Sequence, residues 1–298
     1  MTTQMDGLTR KEIHKDGLVG VLCTPPGGPA PGVVLLGGSE GGLHADDAAL
    51  LASHGFAVLA LAYFGASGVP RDLVRVPLEY FGTALRFMAE QDSVRGNRCA
   101  VMGGSFGGMT ALLVGATFPG QVSAVVSIAG GGVVLQGIDT DGDFWHMIDT
   151  EVPPYTWRGE PLPFIANPST AEMRRQAAAG EPVALRPAFE RGMEDTARLQ
   201  AATIAVERIQ SPVLLISGGD DQQIPAEALN DIAMNRLADG RHLRFPEAGH
   251  GICVPPAHPM TETDEQGPGV RLALGGTPEA TVTAQHEVWR AAVAFLSD

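Results

Sequence analysis

The chain has 298 residues, of which 44% are hydrophobic and 18% charged, so it carries enough apolar side chains for a buried core and is not disordered as a whole. Its formal net charge of −14 is opposite to what binding of nucleic acid or an anionic membrane requires, and we predict neither as a partner. Lysine occurs only at Lys11 and Lys15, and all other cationic side chains are arginine.

Short apolar runs alternate with helix-favouring stretches along most of the chain. The runs that predict strands are Leu18–Cys23, Val33–Leu36, Ala57–Tyr63, Cys99–Met102, Ser123–Ile128, Val213–Ser217 and His242–Phe245. The stretches that predict helices are Ala45–His54, Val76–Gln91, Met109–Phe118, Pro225–Ala238 and Glu279–Leu296. Several strand runs are apolar throughout, as in strands buried on both faces of a parallel sheet. The alternation predicts one α/β domain over residues 1–298, with a doubly wound, mostly parallel sheet.

This alternation stops between residues 131 and 207, where we predict no strand and one helical piece around Ala171–Ala179. Such a length is too great for a loop of a compact domain, and its aromatic content argues against a disordered insertion. We therefore expect an inserted lid over the carboxyl edge of the sheet. The candidates for its inner, substrate-contacting face are Phe144, Trp145, Met147, Tyr155 and Phe164.

Two segments match Gly-x-Ser-x-Gly, one centred on Ser39 and the other on Ser105. A nucleophile elbow needs a strand, a sharp turn and then a helix. Ser105 lies between a predicted strand and a predicted helix, with other strands before it, whereas Ser39 follows the first long core strand. Ser105 is therefore the predicted nucleophile. The alternative is a glycine-rich turn that serves packing alone.

The segment around Ser39 then lies where a hydrolase of this kind builds half of its oxyanion hole. Backbone N–H groups can approach a substrate carbonyl closely there because the neighbours are glycines. We predict the amide of Ser39 as one donor, with Gly38 as the next candidate. The second donor is the amide of Phe106, directly after the predicted nucleophile.

An acid and a base follow Ser105 in chain order. Asp221, after the strand Val213–Ser217, is the predicted acid, and the neighbouring Asp220 is its rival. His250 lies between small residues after the strand ending at Phe245 and is the predicted base, with His258 as the alternative. A serine, an acid and a histidine in this order predict acyl transfer through an acyl-enzyme.

Three cysteines, Cys23, Cys99 and Cys253, match neither a disulfide framework nor a zinc site. The acidic segment Asp139–Asp143 does not have the glycine position of a calcium loop, and we expect no metal and no cofactor. The N-terminus has no apolar core of a signal peptide, and no apolar run reaches the ~18 residues of a membrane span. We therefore expect a cytoplasmic protein; its oligomeric state is not predicted.

The chain resembles the C-terminal catalytic domain of the acyl-CoA thioester hydrolase / bile acid-CoA:amino acid N-acyltransferase family. The segments that carry the resemblance are Pro31–Gly42, His54–Phe64, Pro77–Phe81, Trp157–Pro163, Ile204–Ile209, Pro246–His250 and Gly275–Ala280. The resemblance implies an α/β-hydrolase fold and places the family's triad of Ser or Cys, Asp and His on Ser105, Asp221 and His250. It also implies that a serine nucleophile favours hydrolysis, because members that conjugate acyl groups to amino acids tend to use cysteine.

We therefore expect a serine hydrolase that cleaves a small-molecule acyl thioester of the acyl-CoA type. The alternatives are a carboxylesterase or carrier-protein thioesterase of a biosynthetic pathway, an acyl-CoA:amino acid N-acyltransferase, and a non-catalytic binding protein with a hydrolase fold. The sequence does not predict the acyl chain or the leaving group.

Overall fold

A computed structural model describes residues 7–256, 258–263 and 270–297. The strands of this part of the chain are β1 (Thr9–Lys15), β2 (Leu18–Thr24), β3 (Ala30–Leu36), β4 (Ala57–Ala62), β5 (Val76–Pro77), β6 (Val94–Gly104), β7 (Val122–Ile128), β8 (Tyr155–Trp157), β9 (Glu160–Pro161), β10 (Val213–Gly218) and β11 (Gly240–Phe245). The helices are α1 (Ala45–Ala52), α2 (Glu79–Ala89), α3 (Phe106–Thr117), α4 (Phe144–Asp149), α5 (Ala171–Ala178), α6 (Arg186–Met193), α7 (Thr196–Ala202), α8 (Ala226–Met234) and α9 (Pro278–Ser297). None of these helices combines the length and the apolar character that crossing a bilayer requires.

The main sheet has eight strands in the order β1-β2-β4-β3-β6-β7-β10-β11. The pairs β1–β2 and β2–β4 are antiparallel, and every pair from β4 to β11 is parallel. All residues of β4 and β10 are buried, which explains their uninterrupted apolar sequences. The prediction of a doubly wound, mostly parallel sheet is confirmed.

Each face of the sheet has its own hydrophobic core, because successive side chains of a strand point to opposite faces. On β3, Val34 and Leu36 belong to the core beneath α2, α3 and α8. Val33 and Leu35 belong to the core beneath α1 and α9. The carboxyl ends of β3, β6, β10 and β11 meet at one edge between these two cores, and the loops after them carry the predicted site residues.

The inserted region between residues 131 and 207 contains four short helices, α4 to α7, within the described chain. The predicted helical piece is α5. The prediction of no strand was wrong, since β8 and β9 form a small second sheet with β5. These strands are two or three residues long, which is too short to produce a periodic sequence pattern. Val134 and Ile165 from this region also pack in the core beneath α3.

One strand was not predicted, and one helix begins earlier than predicted, each for a physical reason. Strand β1 was missed because it is an exposed edge strand in which only Ile13 is buried. Both lysines, Lys11 and Lys15, lie on it and are exposed. Helix α3 begins at Phe106 rather than Met109, because the two glycines after Phe106 pack tightly and form its first turn.

The close approach of α3 to β3 predicts the effect of adding one methyl group. A Cβ on Gly107 would lie 2.4 Å from the carbonyl oxygen of Leu36, a backbone atom that cannot move aside freely. We expect Gly107→Ala to lower the free energy of unfolding by about 1–3 kcal/mol or more in urea denaturation. The control is Gly120→Ala, whose Cβ would meet no atom within 4 Å. Equal stability of the two variants would contradict the tight packing at this turn.

Candidate active site

Ser105 occupies a sharp turn between the end of β6 and the start of α3. Its φ of +53° and ψ of −124° lie in a region that L-amino acids rarely adopt. The turn is held by the Ser105 amide, which donates a 2.8 Å hydrogen bond to the carbonyl oxygen of Ile128 on β7. This strand–turn–helix geometry is that of a nucleophile elbow, in which the serine side chain projects above the sheet edge.

Asp221 lies in the loop after β10 and is completely buried. Its Oδ1 accepts hydrogen bonds from the backbone amides of Gln223 at 2.8 Å and Ile224 at 3.0 Å. Its Oδ2 lies 2.7 Å from Nδ1 of His250. Since an ionised carboxylate can only accept, this contact orients the imidazole with a proton on Nδ1.

His250 begins a single 3₁₀ turn, His250–Cys253, after β11. Its Nε2 lies 2.9 Å from Oγ of Ser105 and is the acceptor for the hydroxyl proton when Nδ1 carries the ring proton. Burial is the largest single influence and lowers the pKa of His250, but Asp221 and the neighbouring Cys253 together outweigh burial and hold that pKa above its ordinary value. The three side chains thus form one continuous chain of hydrogen bonds, which is the arrangement that activates a serine hydroxyl.

The rival residues have other contacts. Asp220 accepts hydrogen bonds from the Gly276 amide at 2.8 Å and from the Gln222 side chain at 2.7 Å. The backbone of His258 is bonded to the side chain of Gln285 on α9, and His258 itself is exposed. The geometry therefore favours Asp221 and His250 over these alternatives.

The loop after β3 lies directly beside Ser105, because a Cβ on Gly38 would be 3.3 Å from Cβ of Ser105. The Gly38 amide donates to Oε1 of Glu40 at 2.9 Å and is therefore occupied. The amides of Ser39 and Phe106 have no hydrogen-bond acceptor among the residues that the structure describes. Of the three predicted oxyanion donors, the geometry thus favours Ser39 and Phe106 over Gly38.

Glu40 and His44 were not predicted as part of the site. Nε2 of His44 is 3.1 Å from Glu40 and its Nδ1 is 3.5 Å from Asp47. These two carboxylates raise the pKa of His44 to about 10, and Asp47 makes the larger contribution. Burial raises the pKa of Glu40, but the hydrogen bonds from His44 and the Gly38 amide outweigh it and lower that pKa. No sequence signal identified this pair, since both residues lie in the loop before α1 and not on a helix.

A segment that sequence reasoning overlooked joins the acid and base loops. The carbonyl oxygen of Leu274 accepts hydrogen bonds from the amide of His250 at 2.8 Å and from that of Gln222 at 3.3 Å. The neighbouring Ala273 amide donates to the carbonyl oxygen of Val183 in the inserted region at 2.9 Å. One short stretch of backbone therefore fixes the loops of Asp221 and His250 and ties them to the insertion.

Two of the five predicted substrate-contacting side chains of the insertion are buried in packing contacts. Tyr155 is fully buried in the core beneath α3, where its hydroxyl shares a hydrogen bond with Thr110. Phe144 is buried with Ile148 and Met173 in a small separate core. We therefore correct both residues from substrate contact to packing, since neither ring is accessible to an acyl chain.

The other three of these side chains are half-buried. Trp145 and Met147 lie against the small core of the insertion, and Phe164 lies against the main core. The guanidinium carbon of Arg174 lies 4.5 Å from the ring centroid of Trp145. A role of these three in substrate contact stays a prediction.

The sequence matches the family model described as "BAAT / Acyl-CoA thioester hydrolase C terminal" over residues 76–298. It is 30% identical over 296 residues to "Acyl-coenzyme A thioesterase 6" of Homo sapiens, a match that covers 97% of this chain and 65% of that protein. It is 33% identical over 293 residues to "Acyl-coenzyme A amino acid N-acyltransferase 1" of Mus musculus, with 95% and 64% coverage. The chain thus spans less than two thirds of the length of these relatives.

Among solved structures, the chain is similar to a dienelactone hydrolase-like promiscuous phosphotriesterase from metagenomic libraries. The TM-score is 0.54 at 22% sequence identity, and the match covers 98% of both chains. At this level of identity the likeness concerns the fold. The predicted α/β-hydrolase fold is confirmed.

The charges around His44 predict a pH-dependent contribution to stability. Its folded-state pKa of about 10 exceeds the ordinary value of 6.5, so the contribution is complete below pH 6.5 and disappears as the pH rises through 10. We expect the difference in unfolding free energy between wild type and His44→Gln to shrink steadily between these two pH values in urea denaturation. A difference that stays constant over the range would contradict a protonated His44.

Proposed function

Because the chain belongs to the family of BAAT / acyl-CoA thioester hydrolase C-terminal domains, we propose that it hydrolyses the thioester bond of an acyl-CoA. The single observation that carries the proposal is the hydrogen-bonded chain Asp221–His250–Ser105 at a nucleophile elbow. Such a chain lets an ordinary serine hydroxyl attack a thioester carbonyl at neutral pH.

In the proposed mechanism, Oγ of Ser105 attacks the carbonyl carbon while Nε2 of His250 takes the hydroxyl proton. Asp221 keeps the imidazole in the correct tautomer and stabilises its positive charge. The tetrahedral intermediate collapses, the carbon–sulfur bond breaks, and His250 returns the proton to the departing thiolate. Water then attacks the acyl-enzyme carbonyl and gives one proton to His250. The bond between the acyl carbon and Oγ of Ser105 breaks, His250 returns the proton to Oγ, and the carboxylic acid leaves.

The negative oxygen of each tetrahedral intermediate needs hydrogen-bond donors that are already in place. We assign the backbone amides of Ser39 and Phe106 to this role. The support is that Ser39 follows a glycine in close contact with Ser105, and that Phe106 is the first residue of α3. The amides of a first helical turn have no acceptor within the helix and favour negative charge.

The second candidate function is transfer of the acyl group to an amine. The mouse N-acyltransferase, at 33% identity, is the observation that favours it. In that reaction an amino group would attack the same acyl-enzyme in place of water. Incubation of an acyl-CoA with glycine or taurine, followed by mass spectrometry of the products, distinguishes an acylated amine from a free acid.

We propose a small-molecule substrate as the partner of this protein. We also propose the cytoplasm as its location, as the sequence predicts. The support for the substrate is the "acyl-coenzyme A" in the names of both relatives. The three free cysteines of the described chain are consistent with a reducing compartment. Fluorescence microscopy of a tagged chain in its host cell tests the location.

The two Gly-x-Ser-x-Gly segments give opposite expectations for serine substitutions. We expect Ser105→Ala to abolish both thioester turnover and labelling by an alkyl phosphonate, because the attacking oxygen is removed. Ser39→Ala keeps the backbone amide, so we expect it to retain labelling and to lower the rate only modestly. The assignment is reversed if Ser39→Ala blocks labelling and Ser105→Ala does not.

The neighbouring acids supply a matched pair of variants. We expect Asp221→Asn to reduce kcat by on the order of 10⁴, as loss of the acid leaves histidine in the wrong tautomer. Asp220→Asn keeps an oxygen that can accept from Gly276, so its effect on kcat should be far smaller. Steady-state kinetics of both variants measure the contrast, and small, equal losses would show that Asp221 does not orient His250.

A further inference from the structure

A cavity of about 160 Å³ lies beside Ser105, on the side of the sheet that faces α1 and α9. Its walls on the sheet side are the side chains of Leu35, Met102 and Ile128, which belong to the core beneath these two helices. On the helix side they are Val288 and Trp289 of α9. The cavity thus extends from the candidate nucleophile between the sheet and α9, away from the side chains of the insertion.

Most of this lining offers no hydrogen bond to a ligand. Gln285 of α9 is polar, but its amide group is already bonded to the backbone of Gly251 and His258. The charged lining residues Glu40, His44 and Asp47 lie at the more exposed end, where the Glu40 side chain is 59% exposed. The inner part of the cavity is therefore suited to hydrocarbon, with negative charge at its outer end.

The volume limits what can enter. An engineered cavity of about 150 Å³ lined by aliphatic side chains binds benzene, a molecule of six carbon atoms. We propose that this cavity receives the acyl chain of the substrate and admits a neutral chain of about six carbon atoms. This proposal rests on the thioesterase function proposed above. It assigns the control of acyl length to α9 and not to the insertion.

The same charges discriminate between acyl groups of equal length. Glu40 and Asp47 carry two negative charges against the single positive charge of His44, and the Glu40 pKa is lowered. A terminal carboxylate on the acyl chain would be buried without a cationic partner, or would lie beside these acids. A hexanoyl group is therefore preferred over a dicarboxylic acyl group such as adipoyl.

The kinetic test compares two variants of α9, in which a phenylalanine is introduced either inside the cavity or outside it. Val288→Phe fills the cavity, whereas Val293→Phe changes the same helix at a position that does not line it. In Val288→Phe the ratio of kcat/KM for hexanoyl-CoA to that for acetyl-CoA is expected to fall about tenfold or more, and in Val293→Phe to stay at the wild-type value. An unchanged ratio in a folded Val288→Phe overturns the proposal.

Folding of the variants is checked by thermal melting. If Val288→Phe does not fold, Trp289→Ala gives the opposite test, because it enlarges the cavity. The ratio of decanoyl-CoA to hexanoyl-CoA turnover should then rise about tenfold. No rise overturns the proposal.

A binding test separates this proposal from the proposed function. Hexanamide is a neutral six-carbon acyl amide, and its binding is measured by titration calorimetry without turnover. We expect it to bind wild type and Val293→Phe but not Val288→Phe. Failure to bind wild type, or equal binding to Val288→Phe, overturns the cavity assignment even if acyl-CoA is hydrolysed. If hexanamide binds selectively but no acyl-CoA is hydrolysed, the result supports the assignment of the cavity as an acyl site and refutes the proposed thioesterase activity.

Discussion

The buried carboxylate of Asp221 is the group around which the rest of the candidate site is arranged. A fully buried negative charge is costly unless hydrogen-bond donors surround it. Two backbone amides satisfy Oδ1 and the imidazole of His250 satisfies Oδ2. The turn after β10 and the position of His250 are thus requirements of folding as well as of chemistry. Ser105 then completes the chain at the remaining imidazole nitrogen.

Backbone packing, rather than side-chain packing, keeps the acid and base loops together. A Cβ on Gly218 would lie 2.4 Å from the carbonyl oxygen of Ala248, and one on Gly249 would lie 2.2 Å from that of Gly275. The backbones of these loops are therefore in direct contact, with no room for a side chain between them. The Leu274 carbonyl adds hydrogen bonds to the same assembly. The geometry between Asp221 and His250 is therefore well protected from local distortion.

Ser105 and Asp221 follow strands with uninterrupted apolar runs, whereas His250 follows the mixed polar and apolar sequence of the edge strand β11. Ser105, Asp221 and His250 could be found because parallel strands place their carboxyl ends at one edge, so chain order and strand endings predict proximity. The occupied amide of Gly38 could not be predicted, since it depends on the rotamer of Glu40. The packing of Tyr155 was hidden for a similar reason: its partner Thr110 is 45 residues away. The location of the cavity likewise depends on how α9 sits against the sheet.

The edge strand β1 has a practical consequence for handling the protein. Both lysines of the chain lie on β1, at the opposite end of the strand order from β11. Four strand-to-strand steps separate β1 from β6, which places them roughly 19 Å from the strand that ends at Ser105. Reagents coupled to the lysine side chains would therefore attach at this edge of the sheet, away from the strand that ends at Ser105. The mouth of the candidate site would stay open to solvent on an immobilised surface.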